Sequence, residues 1–406
     1  MNGVLDKTVS RRKFVLGAAS TGAGLALGLA LPTGGNRALA HSHGTHEAEV
    51  NAWVVIGTDD TVTIRIARSE MGQGTLTGLA QMVAEELECD WDKVTWEYPT
   101  PGENLKRDRV WQSFSTGGSQ GVRGSHQYVR EGGAAAREML IEAAAYEWGV
   151  QAKDCRAADS VITHAASGRK TTFGKVAAAA AELVPPSDIK LKDPADWKLI
   201  GQPVKRLDTK DKLTGKQVFG ADVMLDGMLN AAVKACPVHG GKRAGFDADA
   251  VSGMAGVKKV VPVGDDAVAV IADTWWHAKK ALDALPVTWD KGENANVSSA
   301  SIDAALTEGL GAKEAFVGNQ AGDFSAAIGK SARTYTADYS YPFQNHATME
   351  PQNATALWTE DRCEVWCPTQ NGESALAAAA AASGLPQSQC DVHKISLGGG
   401  FGRRGG

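Results

Sequence analysis

The chain has 406 residues, more than one hydrophobic core accommodates, so two or three domains are expected. Its 43% hydrophobic and 22% charged content is that of a soluble globular protein, and a net charge of −5 argues against nucleic-acid binding. The cysteines Cys89, Cys155, Cys236, Cys363, Cys367 and Cys390 form no C-x-x-C pair. That excludes zinc-ribbon and iron–sulfur motifs from this chain and leaves core thiols.

Ser10-Arg11-Arg12-Lys13-Phe14, the Gly/Ala-softened apolar run to Leu31 and Ala38-Leu39-Ala40 have the form of a twin-arginine export signal with a small-residue cleavage site. Residues 1–40 are therefore set aside from the fold, and the expected location is the periplasm, reached by export of the folded chain. A first unit is expected over 47–185. In it Val50–Ile56 reads as a strand, Gly57–Asp60 as a turn and Thr61–Ala67 as a strictly alternating second strand. Ser69–Gly74 is a loop opening a helix from Leu76 to Leu87. In it Gly72 and Gly74 leave the backbone of Gln73 free to approach a ligand, and the Gln73 amide can donate and accept at once. Thr116-Gly117-Gly118-Ser119-Gln120-Gly121 is a second donor-rich loop, ahead of a long helix from Gln127 to Trp148. Free N–H groups before a helix make a natural anion site.

Pro185-Pro186 and the Lys/Asp run to Trp197 break the pattern, and a domain boundary is expected over 186–196. The second unit, 197–295, shows strands at Lys216–Asp222, Met228–Lys234, Ala267–Ala272 and Val287–Asp290, with a helix over Trp275–Leu285. The third, 330–406, shows strands at Arg333–Tyr341, Ala354–Trp358 and Arg362–Cys367, then a helix over Glu373–Ala381 capped by Thr369-Gln370-Asn371. Its last strand, Asp391–Leu397, runs into Gly398-Gly399-Gly400-Phe401-Gly402-Arg403-Arg404. Such a loop lets main-chain N–H groups meet an anion, and the two arginines can pair with phosphate oxygens. A strand entering such a loop normally continues, so this unit is expected to be incomplete at residue 406.

Three motifs, EMGQG at Glu70–Gly74, TQN at Thr369–Asn371 and GGGFGRR at Gly398–Arg404, give the chain its family likeness. It resembles the large molybdenum-cofactor subunit of the xanthine oxidase family, of the exported isoquinoline 1-oxidoreductase beta-subunit type, a branch whose related members are described as aldehyde dehydrogenases. In that branch the MGQG segment precedes the GGGFG segment, as here. The second unit resembles the family's hammerhead domain, carrying Arg206-Leu207-Asp208, Lys212–Lys216 and Val268–Asp273. The resemblance implies a multidomain α+β fold in which permuted molybdopterin-binding halves flank an α/β hammerhead domain.

Carried over by motif, the resemblance implies that Gln370 hydrogen-bonds an oxygen on molybdenum. It implies that Phe401, between Gly400 and Gly402, presents its N–H to the oxo ligand, while Arg403 stays the phosphate-pairing candidate that its own chemistry makes it. Gln73, between Gly72 and Gly74, would hold the pterin, and Thr116, Gly118, Ser119 and Gln120 would cradle its phosphates or nucleotide. It further implies a molybdenum–pterin cofactor in its cytosine dinucleotide form, with no protein ligand to the metal. A small-molecule substrate would be hydroxylated with water, and electrons would leave through 2Fe–2S clusters on a small iron–sulfur partner subunit towards a cytochrome c. The glutamate base of such subunits is expected beyond residue 406, so the 406-residue chain is expected to be inactive alone, with Glu350 structural. Two further readings stand beside hydroxylation of an isoquinoline-like substrate: aldehyde oxidation on the same scaffold, and a non-catalytic exported binding or assembly protein.

Overall fold

In the computed structural model, which describes residues 47–405, the chain enters through a four-stranded sheet in the order β1 (Glu47–Asn51), β2 (Val54–Gly57), β3 (Val62–Arg65), β4 (Val94–Glu97). The expected signal peptide lies outside the described residues. The stretch Val50–Ile56 is not one strand but the turn of a hairpin. The Asn51 side-chain oxygen accepts from the N–H groups of Trp53 and Val54 at 2.9 and 3.1 Å, reversing the chain. Helix α1 (Thr75–Leu87) carries the chain across to β4, which pairs parallel to β3.

Short helices α2 (Pro101–Lys106) and α3 (Gln120–Arg123) lead to the long α4 (His126–Trp148), which packs on α1. Gly133 permits that approach: a Cβ there would lie 2.4 Å from the carbonyl of Val83. A small sheet of β5 (Cys155–Ala158), β6 (Val161–His164) and β7 (Arg169–Thr172) and helix α5 (Phe173–Ala181) complete one core around Ile56, Ile64, Leu79, Met139, Leu140 and Phe173. Each such fully buried side chain contributes roughly 1.5–3 kcal/mol of transfer free energy.

The segment 186–196 does not end this unit, which runs on to Met224. Buried Glu85 on α1 accepts from the N–H groups of Lys198, Leu199 and Ile200 at 3.0, 2.6 and 3.0 Å and from the Lys192 ammonium, strapping the connector down. Beyond it, α6 (Thr209–Leu213) precedes a stretch that is not the expected strand. The N–H groups of Lys216 and Gln217 turn back to the Asp211 carbonyl, and the Asp222 carboxylate accepts from Phe219 N–H.

The second unit, Leu225–Asn345, holds β8 (Asn230–Ala235), β9 (Lys242–Phe246), α7 (Asp249–Ser252), β10 (Val257–Val263), β11 (Ala267–Ala272), α8 (Trp275–Ala284), β12 (Val287–Asp290), α9 (Ser299–Leu310) and α10 (Phe324–Ile328). Its antiparallel sheet β10-β11-β8 packs on α8 through Val268, Val270, Ala278 and Leu282, and β9 pairs with β12. The expected strand Arg333–Tyr341 is irregular backbone: Tyr335, Tyr339 and Tyr341 are exposed, and no described strand pairs with it.

The chain rejoins the first unit at His346. There β13 (Thr355–Trp358), β14 (Cys363–Cys367), α11 (Gly372–Ser383) and β15 (Cys390–Lys394) follow the predicted order, with β14 and β15 parallel across α11. Asp391 on β15 accepts from Thr100 Oγ1 at 2.6 Å and Gly102 N–H at 3.0 Å, which ties this last segment to the start of α2. The whole is a multidomain α+β chain.

Candidate cofactor site

Three loops meet in the first unit, and one buried carboxylate shapes the first of them. Glu70, 1% exposed, accepts from Gly72 and Gly74 N–H at 2.8 and 3.0 Å through one oxygen and from Leu76 N–H at 3.0 Å through the other. It therefore both folds the loop and caps the N-terminus of α1, where a negative charge is favoured. Arg206 pairs with it at 3.0 Å, donates to the Gly72 carbonyl and grips Asp208 through two nitrogens. Burial pushes Asp208 up, but Arg206 and Lys212 outweigh it and hold the carboxyl at about 2. Arg206-Leu207-Asp208, assigned from the sequence to the hammerhead-like module, thus lies in the first unit and braces the EMGQG loop.

The second loop is bonded to the first and third. Ser69 N–H donates to Thr116 Oγ1 at 2.9 Å, and Ser69 Oγ to the Thr369 carbonyl at 2.8 Å. Thr116 N–H donates to the Gln370 carbonyl at 2.7 Å, and Gln370 Nε2 donates back to the Thr116 carbonyl at 2.8 Å. Gln370 Oε1 accepts from Gly402 N–H at 3.0 Å. Gln370 is thus a bolt joining loops 254 residues apart, and one proton of its amide stays free for a ligand.

The third loop is fixed at its entry by Glu350, whose carboxylate accepts from Gly398 N–H at 3.0 Å and Gly220 N–H at 2.8 Å. Glu350 is structural, as its sequence context implies. Leu397 N–H donates to the Glu70 carbonyl at 2.9 Å. Gly400 sits where nothing larger fits: a Cβ would lie 2.5 Å from Met71 Sδ and 2.7 Å from Gln370 Oε1. Phe401 holds φ at 52° with its ring 70% exposed, a conformation rare for a bulky residue and a mark of a functional loop.

Between the loops lies a cleft of about 630 Å³ lined by Gln73, Thr116, Ser119, Gln120, Gln370, Gly400, Phe401 and Gly402 from the predicted set. Met71, Thr75, Gly117, Gly121 and Val122 line it as well. Gly72, Gly74 and Gly118 shape the loops from outside the lining. Arg403 is exposed and not among the lining residues, whereas Arg404 is no phosphate ligand. It is buried, donating to the carbonyls of Gly399 and Glu350 at 3.0 and 2.5 Å and pairing with the Glu350 carboxylate at 3.2 Å. The Gln73 amide closes its own loop, accepting from Met71 N–H at 2.7 Å and donating to the Ser69 carbonyl at 2.9 Å. The motif EMGQG contained Glu70 and Met71, but which of its residues faces inward depends on the turn. Arg206 carried no local signal linking it to a loop 134 residues away.

Main-chain N–H groups of Ser119 and Phe401 bond no protein acceptor among the described residues, and those residues contain no cluster of His, Cys, Asp or Glu suited to a metal. Such a cleft fits an organic, anion-bearing group that brings its own metal ligands. That defines the class: a protein holding a large cofactor by backbone and amide donors on glycine loops. Sequence models described as molybdopterin cofactor-binding domains match residues 9–226 and 310–406, and the chain belongs to that family, among the molybdenum-binding subunits of the xanthine oxidase family.

The chain is 29% identical to the membrane-bound aldehyde dehydrogenase [pyrroloquinoline-quinone] of Gluconacetobacter polyoxogenes, covering 98% of this chain and 52% of that protein. It is 27% identical to the beta subunit of the isoquinoline 1-oxidoreductase of Brevundimonas diminuta (98% and 56%). It is 25% identical to a nicotinate dehydrogenase subunit of Pseudomonas putida (95% and 32%). The chain thus spans about half or less of the length of the curated relatives it matches. Among solved structures it is similar to quinoline 2-oxidoreductase from Pseudomonas putida 86, at 22% identity and a TM-score of 0.39 over 50% of this chain and 31% of that one. It is also similar to the aldehyde oxidoreductase of Desulfovibrio gigas, at 20% and 0.40 over 56% and 30%.

Proposed function

We propose that this chain is the cofactor-holding part of a molybdenum hydroxylase that oxidises an electron-poor carbon of an N-heterocyclic aromatic compound. The convergence of the three loops on one donor-lined cleft carries the reading. When bound, the molybdenum–pterin group supplies the two-electron oxidation and the transfer of water-derived oxygen. This chain's own residues position it. Phe401 N–H and the free proton of the Gln370 amide offer donors to it. Ser119 N–H and the Gln120 side chain offer donors for phosphates, in the proposed cytosine dinucleotide form. Met71 and the Phe401 ring supply apolar walls, and the exposed Arg403 can pair with an anionic oxygen. The general base is not assigned to any of these residues. We further propose export to the periplasm by the twin-arginine route, a small 2Fe–2S partner subunit and a cytochrome c acceptor.

Aldehyde oxidation is the second reading, favoured by the 29% identical relative named an aldehyde dehydrogenase. Metal and pterin analysis of the protein with its full reading frame, purified from its native host, tests both. Molybdenum near one per chain with a fluorescent oxidised pterin is the expected result, after which turnover of isoquinoline against an aliphatic aldehyde separates the two. A folded protein with neither molybdenum nor pterin overturns both.

A further inference from the structure

Two basic side chains are buried beside residues that line the cleft, and their bonded partners among the described residues are neutral. Arg68, 5% exposed, donates from Nε to Ser125 Oγ at 2.8 Å, to the Ser115 carbonyl, and at 3.5 Å to the hydroxyls of Ser113 and Tyr128. Lys394, 6% exposed, donates to the Ala67 carbonyl, its ammonium lying 4.5 and 4.7 Å from the ring centroids of Tyr98 and Phe114. Their chain neighbours build the cleft. Arg68 precedes Ser69, which holds Thr116; Ser115 precedes Thr116; and the Lys394 stem passes Gly372, two residues after Gln370. A buried charge is normally paired, because desolvation is otherwise uncompensated.

We propose that Arg68 and Lys394 form a cationic floor completed by the anion that fills the cleft, so that seating a polyanion is coupled to proton uptake at Lys394. The proposal rests on the reading of the cleft as the site of an anion-bearing cofactor. Burial first and the charge of Arg68 second pull Lys394 well below the usual lysine range. The acids on the elements packed around it are engaged elsewhere. Glu364 on β14 pairs with His393 and Arg362, Glu373 on α11 with Arg109, and Glu103 on α2 with Arg107. Asp391 on β15 caps α2, the remaining cation of α2, Lys106, is exposed, and burial holds the Tyr98 phenol neutral. An anion brought close favours the charged ammonium. Affinity for the anion is then highest at low pH and falls as pH rises above the pKa that Lys394 has without the anion, by up to about tenfold per pH unit for one linked proton.

Sulfate is a suitable probe because it stays a dianion over the whole range in which a displaced lysine can titrate, about pH 6 to 10. Its affinity for the 406-residue chain is measured by calorimetry across that range at constant ionic strength, for the native chain and for Lys394→Met and Lys394→Arg. The expected result is an affinity that falls several-fold or more per pH unit in the native chain and is flat in both variants, weak in Lys394→Met and tight in Lys394→Arg. A merely structural lysine would not give that split. Should Lys394→Met not fold, Lys394→Gln serves the same comparison. Equal pH slopes in native and variant chains, or no sulfate binding at any pH, overturn the proposal. Molybdenum and pterin in the native-host protein together with equal slopes refute this inference alone. A coupled slope in a protein without the cofactor refutes the cofactor reading and leaves the cationic floor standing.

Discussion

Replacing Glu70 by Gln tests whether one carboxylate organises the first loop. The side chain keeps its shape, so the oxygen facing Gly72, Gly74 and Arg206 can stay, but the atom facing Leu76 N–H becomes an amide NH₂. Two donors then meet where the native distance is 3.0 Å, at a residue fully buried in the core. A buried donor left without an acceptor costs about 1–3 kcal/mol, and two donors forced together in the core put this change in the upper half of that range. Losing the charge at the N-terminus of α1 adds roughly 0.5 kcal/mol. The sum is about 3 kcal/mol, concentrated in the first turn of α1. At 1.4 kcal/mol per factor of ten, the amides of Gly72, Gly74 and Leu76 should exchange with solvent hydrogen about a hundredfold faster than in the native chain. A unit of this size should lose roughly 6–12 °C in Tm. Exchange read residue by residue by NMR or mass spectrometry is the assay. Rates within threefold of native at Leu76, with an unchanged Tm, would refute the assignment of Glu70 as organiser. Arg206→Met, alone and combined with Glu70→Gln, should show non-additive losses, since the two side chains share one bonded network.

Gly400→Ala should lower the molybdenum and pterin content of the native-host protein by about tenfold or more, because its methyl group must displace Met71 or the Gln370 bolt. Arg404→Met should cost about 3 kcal/mol in urea unfolding by stranding the carbonyls it serves, while Arg403→Met should shift stability by less than about 0.5 kcal/mol and act on cofactor retention instead. In acid, Asp208 and Glu364 lose what they contribute. Asp208 is held at about 2 by Arg206 and Lys212 against its burial, and Glu364 at about 2 by His393 first, then by Arg362 against burial. Both are depressed below their unfolded values, so their stabilisation is full above about pH 4.5 and disappears as pH falls towards 2. Thermal melts at graded pH should show that loss, and Asp208→Asn should flatten it. Glu85→Gln should loosen the strap, seen as new tryptic cleavage in residues 186–200 while the rest of the first unit resists.

Local chemistry was legible from the sequence where periodicity and capping act within a few residues. Helices α1 and α4, the strands β13, β14 and β15, and the crossover α11 lie where alternation and caps predict them. Reading failed where a local turn overrides the pattern. Asn51 cuts an apolar run into two strands by offering its own side-chain acceptor, and the Asp211 carbonyl and the Asp222 carboxylate turn a strand-like stretch into tight turns. Strand β9, Lys-Arg-Ala-Gly-Phe, has no alternation and exists only because β12 pairs with it. The site shows the same division. The three glycine loops were recognisable as donor-rich one by one, but their meeting depends on bonds such as Ser69 to Thr369, 300 residues apart. The connector's place on the first unit depends on Glu85, a residue that reads as one more helix-surface charge until its buried acceptors are seen. Arg404 looked like a phosphate partner because, like Arg403, it directly follows the glycine loop. Only its burial shows that it serves carbonyls.

The first unit is discontinuous, residues 225–345 standing as an insertion between its two pieces. That order has a consequence for biosynthesis. The core from β1 to α5 can collapse while translation is still under way, yet Ser69, Thr116 and Ala67 must wait for Thr369, Gln370 and Lys394, which emerge only after the whole insertion. Closing contacts across more than 250 residues is slow relative to the local helices and hairpins around them, because the intervening chain must be immobilised first. Nascent chains would therefore expose a half-built cleft for as long as the insertion takes to fold. A slow-folding variant of the insertion should reduce cofactor loading without altering a single residue of the cleft.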